Sequence, residues 1–153
     1  MVIQRWQSVL LLIACVMMAL FSFCQLGWID GASLRVNIYS FGMYAEESGK
    51  TLMSTWYITV VAALSALLAL MAIFMFKNTR LQKRVSMFSL VLSLAALGSE
   101  YLVATALQVP GDTAGIHYST MAFGPFVAVA ALLLAYRCIR SDERKLSSMD
   151  RLR

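Results

Sequence analysis

The sequence predicts an all-α integral membrane protein: a bundle of four membrane-spanning helices, both termini inside, with a small β-hairpin in the first outer loop. Three observations lead there. The chain of 153 residues is 60% hydrophobic and only 14% charged, against roughly 45–50% and about 25% in soluble domains. Its apolar residues gather into four runs, each near the ~20 residues that cross a bilayer core. Lys and Arg crowd one set of connections and nearly avoid the other. The mean hydropathy is +0.73, and the length fits a single domain.

The first run extends from about Val9 to Trp28. A cleavable signal is the competing reading, but only Arg5 precedes the run, no A-x-A site follows it, and Cys24 has Phe23 rather than a small residue before it. The run is therefore expected to stay as an uncleaved helix. The second, Trp56 to about Phe76, carries no charge; the third, about Val85 to Leu107, carries only Glu100; the fourth, about Met121 to Ile139, holds Arg137 near its end.

Orientation follows from the basic residues. Arg5, the loop Lys77–Arg84 and the segment from Arg137 onward hold 11 of them, whereas the other side holds 2, Arg35 and Lys50. The excess belongs in the cytoplasm. That puts the loop spanning about 29–55 on the far side of the membrane. Within it, Leu34–Tyr39 alternates apolar and polar residues as a half-exposed strand does. Tyr39–Tyr44 extends or pairs with that strand, with Gly31, Gly42 and Gly49 as turn signals. Two strands alone are marginal in water, so the hairpin needs the helix ends or a partner. The connection Gln108–Ser119, with Pro110, Gly111 and Gly115, reads as a turn.

In the tail, 140–153, Ser141-Asp142-Glu143 looks like a fresh helix start with acids at the positive dipole end. Leu146, Met149 and Leu152 then share a face flanked by Arg144, Lys145, Arg151 and Arg153. Such a short amphipathic helix would lie on the inner leaflet, each basic residue contributing about 1 kcal/mol on an anionic surface, or dock a cytoplasmic partner. No internal repeat is visible.

Lipid gives apolar helices little reason to associate, so rows of small and polar residues mark the packing faces. Ala62, Ala66 and Ala69 form one row; Gly124, Ala128, Ala131 and Ala135 form another. Ser86, Ser89, Ser93, Ala96 and Glu100 form a third, which must face the bundle or a partner. Serines can return their proton to a backbone carbonyl one turn back, so packing suffices to explain them; a polar pathway is the alternative. Pro125 sits where the fourth helix should begin, and proline is tolerated there.

Glu100 is the residue best placed to carry a mechanism. A carboxylate at the centre of a spanning helix costs roughly 2.5–3.5 kcal/mol on insertion scales. Glu100 lies toward the outer end, within reach of interfacial water, Arg35, His117 or Tyr118. A structural role, a partner contact and proton or ion handling are its three readings. His117 is the single histidine, and Glu100 with His117 is too thin for a proton relay. Cys15, Cys24 and Cys138 lack CxxC spacing and act as small packing residues. Trp6, Trp28, Trp56, Tyr57, Tyr101, Tyr118 and Tyr136 fall near helix ends, as an interfacial belt does. No GxSxG, HExxH, P-loop, GxGxxG or metal-spaced Cys/His pairing occurs, so no enzyme activity, cofactor or metal is expected.

The termini and central loop resemble a known family. Met1-Val2-Ile3-Gln4-Arg5-Trp6-Gln7 is similar to its MIQRxQ opening, Lys77-Asn78-Thr79-Arg80-Leu81-Gln82 to its K-N-R-x-L-Q loop, and Ile139-Arg140-Ser141-Asp142-Glu143 with Asp150-Arg151-Leu152-Arg153 to its IRxDE…DRLR close. The family is the domain-of-unknown-function family 4293, small four-helix membrane proteins of Bacteroidetes. Val2 is an insertion, and Arg144–Ser148 replaces a more usual L-V-R-S-type stretch. The resemblance implies an inner-membrane location, no assigned activity and no catalytic residues. It also makes Arg140, Asp142, Glu143, Asp150, Arg151 and Arg153 candidates for a cytoplasmic contact. In outline the arrangement resembles claudin-type bundles, but that group's cysteine pair and Trp signature are absent, so the likeness is one of shape alone.

The expected function is a non-catalytic accessory or scaffold subunit of a larger membrane complex. Its partners would be membrane lipids and another membrane protein or a second copy of itself, not nucleic acid. The alternative is an oligomeric transporter or channel-like protein using Ser86, Ser89, Ser93 and Glu100. A lipid-modifying enzyme would need polar residues clustered at one depth, which the sequence lacks.

Overall fold

The computed structural model describes residues 2–30, 35–46, 49–76, 78–107 and 115–150. Among them, four helices are long and apolar enough to cross a membrane: α1 (Val2–Phe23), α2 (Trp56–Phe74), α3 (Thr79–Leu107) and α4 (Gly124–Asp150). α1 packs on α2 and α4, and α3 packs on the same two helices. This is the ring of an up-and-down bundle.

The small-residue rows explain how the ring closes. Ala62, Ala66, Ala69 and Ala72 of α2 and Ala128, Ala131 and Ala135 of α4 are buried. They leave room for Leu11, Met18 and Phe21 of α1, all fully buried. Small-against-large packing of this kind gives helices their attraction where burial of apolar surface gains nothing from lipid. Gly124 shows how close the approach is: a Cβ there would stand 3.2 Å from the Met17 carbonyl oxygen of α1. Outward, the helices present an apolar belt that includes Phe23, Leu67, Phe88 and Leu134. A surface this apolar suits lipid contact.

The expected hairpin belongs to something larger. Five strands, β1 (Gln25–Asp30), β2 (Arg35–Tyr39), β3 (Gly42–Ala45), β4 (Thr51–Ser54) and β5 (Gly115–Tyr118), form one antiparallel sheet at one end of the bundle. The order is β4-β3-β2-β1-β5. β2 and β3 are the expected pair, turning at Ser40 and Phe41.

Five expectations are corrected here. Gln25–Trp28, read as the end of the first helix, belongs to β1, which runs on to Asp30. Gly27 weakens a helix there, and pairing with β2 on one side and β5 on the other captures the segment. Thr51–Ser54, read as loop, is β4. Gly115–Tyr118, read as part of a turn, is β5; Gln108–Ala114 lie outside the described residues. The tail does not restart at Ser141: α4 runs unbroken to Asp150, because neither Gly nor Pro interrupts it. The Leu146–Met149–Leu152 stripe lies outside the described side chains. α1 also begins at Val2 rather than near Val9.

Pro125 stands in the first turn of α4 as expected, behind the short 3-10 turn Thr120–Phe123.

Candidate functional site

Two places combine polar chemistry with enclosure: the junction of helices and sheet, where Glu100 lies, and the opposite, basic end of the bundle.

At the junction, Ser40 acts as a peg. It is 1% exposed, sits in the β2–β3 turn and donates its hydroxyl proton to the Ser22 carbonyl at 2.8 Å. Its Oγ lies 2.9 Å from Thr59 Oγ1, and its own carbonyl accepts the Thr55 hydroxyl at 3.0 Å. One turn residue thereby ties the sheet to the end of α1 and the start of α2. Sequence reading overlooked Ser40, since a serine two residues before a glycine reads only as a turn.

Beneath that peg is a cavity of about 40 Å³, lined by Phe21, Leu26, Ile38, Tyr39, Ser40, Met43, Thr55, Ile58, Glu100, Val103 and Tyr118. A space of this size admits a water molecule or one small polar group. Glu100 is the charged residue of the described lining. It makes no hydrogen bond or ion pair among the described residues.

Two of the three expected partners of Glu100 are engaged elsewhere. Arg35 Nε lies 2.8 Å from Asp30 Oδ1 and 3.8 Å from Glu46 Oε2. His117 Nε2 lies 3.6 Å from Asp30 Oδ2, and its ring stacks on Trp28 with centroids 5.4 Å apart. Trp28, expected in an interfacial belt, instead stands in β1 with the Arg35 guanidinium 5.5 Å from its ring centroid. Of the three expected partners, Tyr118 alone shares the cavity with Glu100. Pairing register decides this: β1–β2 sets Arg35 opposite Asp30, and β1–β5 sets His117 opposite Trp28.

The third-helix row does face inward. Ser86, Ser89, Ser93 and Ala96 of α3 are each 0% exposed. Ser89 Oγ donates to the Ser65 carbonyl of α2 at 2.9 Å, and Ser65 Oγ returns the bond to the Ser89 carbonyl at 2.9 Å. Ser93 donates back to the Leu90 carbonyl at 2.8 Å. Among the described residues, only the Ser86 hydroxyl is a buried side-chain polar atom without a partner. The row therefore works as a seam between α2 and α3. Ser65, its other half, escaped notice because it stands alone among the apolar residues of α2.

At the basic end, the α4 acids join neighbouring helices. Asp142 accepts a hydrogen bond from the Gln7 amide of α1, and Gln7 is itself buried. Glu143 accepts from Lys83 Nζ of α3 at 2.8 Å. Two of the contact residues suggested by the tail are thus occupied inside the bundle. Arg140 is exposed. Asp150 closes the described part of α4, its side chain not among those described, and Arg151 and Arg153 lie outside the described residues.

The family model for the domain of unknown function DUF4293 matches residues 3–152. The chain belongs to the DUF4293 family. The match spans nearly the whole of the four helices and every described strand of this DUF4293 protein. No protein of curated function matches it. Among the described residues of the DUF4293 chain, no three His, Cys, Asp or Glu side chains group so as to hold a metal ion.

Proposed function

We propose that this DUF4293 protein is a non-catalytic accessory or scaffold subunit of a larger complex in the bacterial inner membrane. Both termini lie in the cytoplasm, and the sheet stands on the periplasmic side. The distribution of basic residues supports that orientation, since 11 of 13 fall before the first apolar run, between the second and third, or from Arg137 onward in the sequence.

The observation that carries the scaffold reading is the closed seam of α3. The polar face that would have to line a pathway within a single copy is buried and largely bonded to α2 or to its own backbone. What remains for interaction is outside: an apolar belt, and a sheet whose edge strand β4 is exposed at every residue. Open strand edges and unpartnered apolar surface serve assembly rather than turnover.

Affinity purification of the tagged protein from native membranes in a mild detergent tests this. The expected result is a larger membrane protein recovered in stoichiometric amount. Recovery of a lone monomer would count decisively against a subunit role.

A second reading, an oligomeric transporter, is favoured by one observation. Glu100 stands in a cavity with no partner among the described residues, inside a helix apolar enough to span a membrane, and intramembrane carboxylates usually serve a purpose. This reading expects Glu100→Gln to abolish a flux measured in proteoliposomes. Unchanged flux removes Glu100 from any transport mechanism.

A further inference from the structure

The basic end carries chemistry that neither reading uses. A groove of about 210 Å³ beside α3 is lined by Arg80, Lys83, Arg84, Met87 and Glu143. A second depression, lined by Asn78, Thr79, Arg80, Leu81 and Arg84, shares both arginines with it. Lys83 is matched by Glu143 at 2.8 Å. Arg80 and Arg84 have no ion pair among the described residues. They stand four residues apart, so the two guanidinium groups are neighbours on one helix face and repel each other unless an anion lies between them.

That face does not stop at the arginines. Four-and-three spacing continues it from Arg84 to Met87, Phe88 and Val91, which are 56%, 66% and 53% exposed. One surface of α3 therefore passes from two arginines without an ion pair among the described residues to bare apolar side chains within about two helical turns. An inorganic anion would use only the first part of this surface. An amphiphile with an anionic head uses both.

We propose that the groove between α3 and α4 binds an anionic phospholipid. The Arg80 and Arg84 guanidiniums hold its phosphate, for which their planar forks are suited. One acyl chain lies over Met87, Phe88 and Val91. The Lys83–Glu143 pair forms the wall on the α4 side and keeps that acid from repelling the phosphate. The site rests on the reading that the bundle lies in a bilayer, and adds to it a lipid class and a location.

Full-length protein, purified in mild detergent and stripped of lipid, is titrated with phosphatidylglycerol, phosphatidylethanolamine or phosphatidylcholine and read by native mass spectrometry. Phosphatidylglycerol is expected to form adducts at the lowest concentration. Arg80→Gln with Arg84→Gln should raise the concentration needed by about twenty-five-fold, near five-fold for each arginine. Lys50→Gln, beside the sheet, should change nothing. Equal adducts with all three lipids, or undiminished phosphatidylglycerol adducts in the double variant, overturn the site. Should the double variant fail to fold, Arg80→Lys with Arg84→Lys keeps both charges and loses the forks. It is expected to narrow the preference for phosphatidylglycerol, and an unaltered preference overturns the two-arginine clamp. A separate arm adds inorganic phosphate: full displacement of the lipid by phosphate at equal concentration would make free phosphate the ligand and overturn the lipid assignment. Alkaline washing of membranes separates the two levels of the claim. A chain washed off brings down the bilayer reading and the site together. A chain that stays but shows no lipid preference brings down the site alone.

Discussion

Replacing Gly27 by alanine is expected to detach β5 from the sheet and to cost about 2–3 kcal/mol, in the range of an overpacked core. A Cβ on Gly27 would stand 2.4 Å from the His117 carbonyl oxygen. The obstacle is backbone, so no rotamer change relieves it. Either β1 or β5 must move, and β1 is held by β2 along its length. β5 is held by β1 alone, through Gly27–Tyr118 to Asp30–Gly115. Movement of β5 would also strain the adjoining Ser119 amide bond to the Leu26 carbonyl, 2.8 Å in the native sheet. Thermal unfolding in detergent should show the loss, and hydrogen exchange should accelerate at His117 and Tyr118 before the rest of the sheet. Protection at those amides equal to the native protein's would refute this account of Gly27.

Replacing Glu100 by leucine should do the reverse and stabilise the protein, by about 1–3 kcal/mol. Glu100 lies in the part of α3 that is apolar enough to cross a membrane. It faces a mostly apolar cavity and has no partner among the described residues. The insertion cost of a carboxylate, roughly 2.5–3.5 kcal/mol at a bilayer's centre, falls toward its edge, so only part of it is recoverable here. A higher melting temperature in Glu100→Leu is the expected outcome. A lower one would mean that Glu100 holds a stabilising bond, and would undo the transport reading along with the cavity description. Residues that make a protein less stable than its fold allows are commonly kept for what they do.

Much of the bundle was legible because its information is local. Ser86, Ser89, Ser93 and Ala96 repeat with the period of a helix, and all four turn inward. The alanine rows of α2 and α4 behave the same way. The β2–β3 hairpin was legible too, since alternation and a nearby glycine mark it within a few residues. The remaining strands were not. β1 reads Gln-Leu-Gly-Trp-Ile-Asp, which simply prolongs an apolar run. β4 and β5 have 4 residues each, too few to display a period. Their state is decided by partners far along the chain, β5 by a strand near residue 27. The Glu100 site was legible only as a residue. Its surroundings were not, because the register that commits Arg35 to Asp30 and brings His117 beside Trp28 cannot be read before the sheet is known. The clamp of Gln7 on Asp142 joins the two ends of the chain, and no neighbouring residues announce it.

The strand order β4-β3-β2-β1-β5 also constrains the order of events at the ribosome. Four strands follow one another as a meander and are complete before α2 is made. The fifth is synthesised only after α3, and it joins at the free flank of the first strand, not of the latest. During translation, β1 therefore waits with one edge unpaired while half of the protein emerges. The first-made strand is thus the one that gains its second neighbour last. Gly115–Tyr118, which lies between α3 and α4 in the chain, thereby joins the meander that lies between α1 and α2.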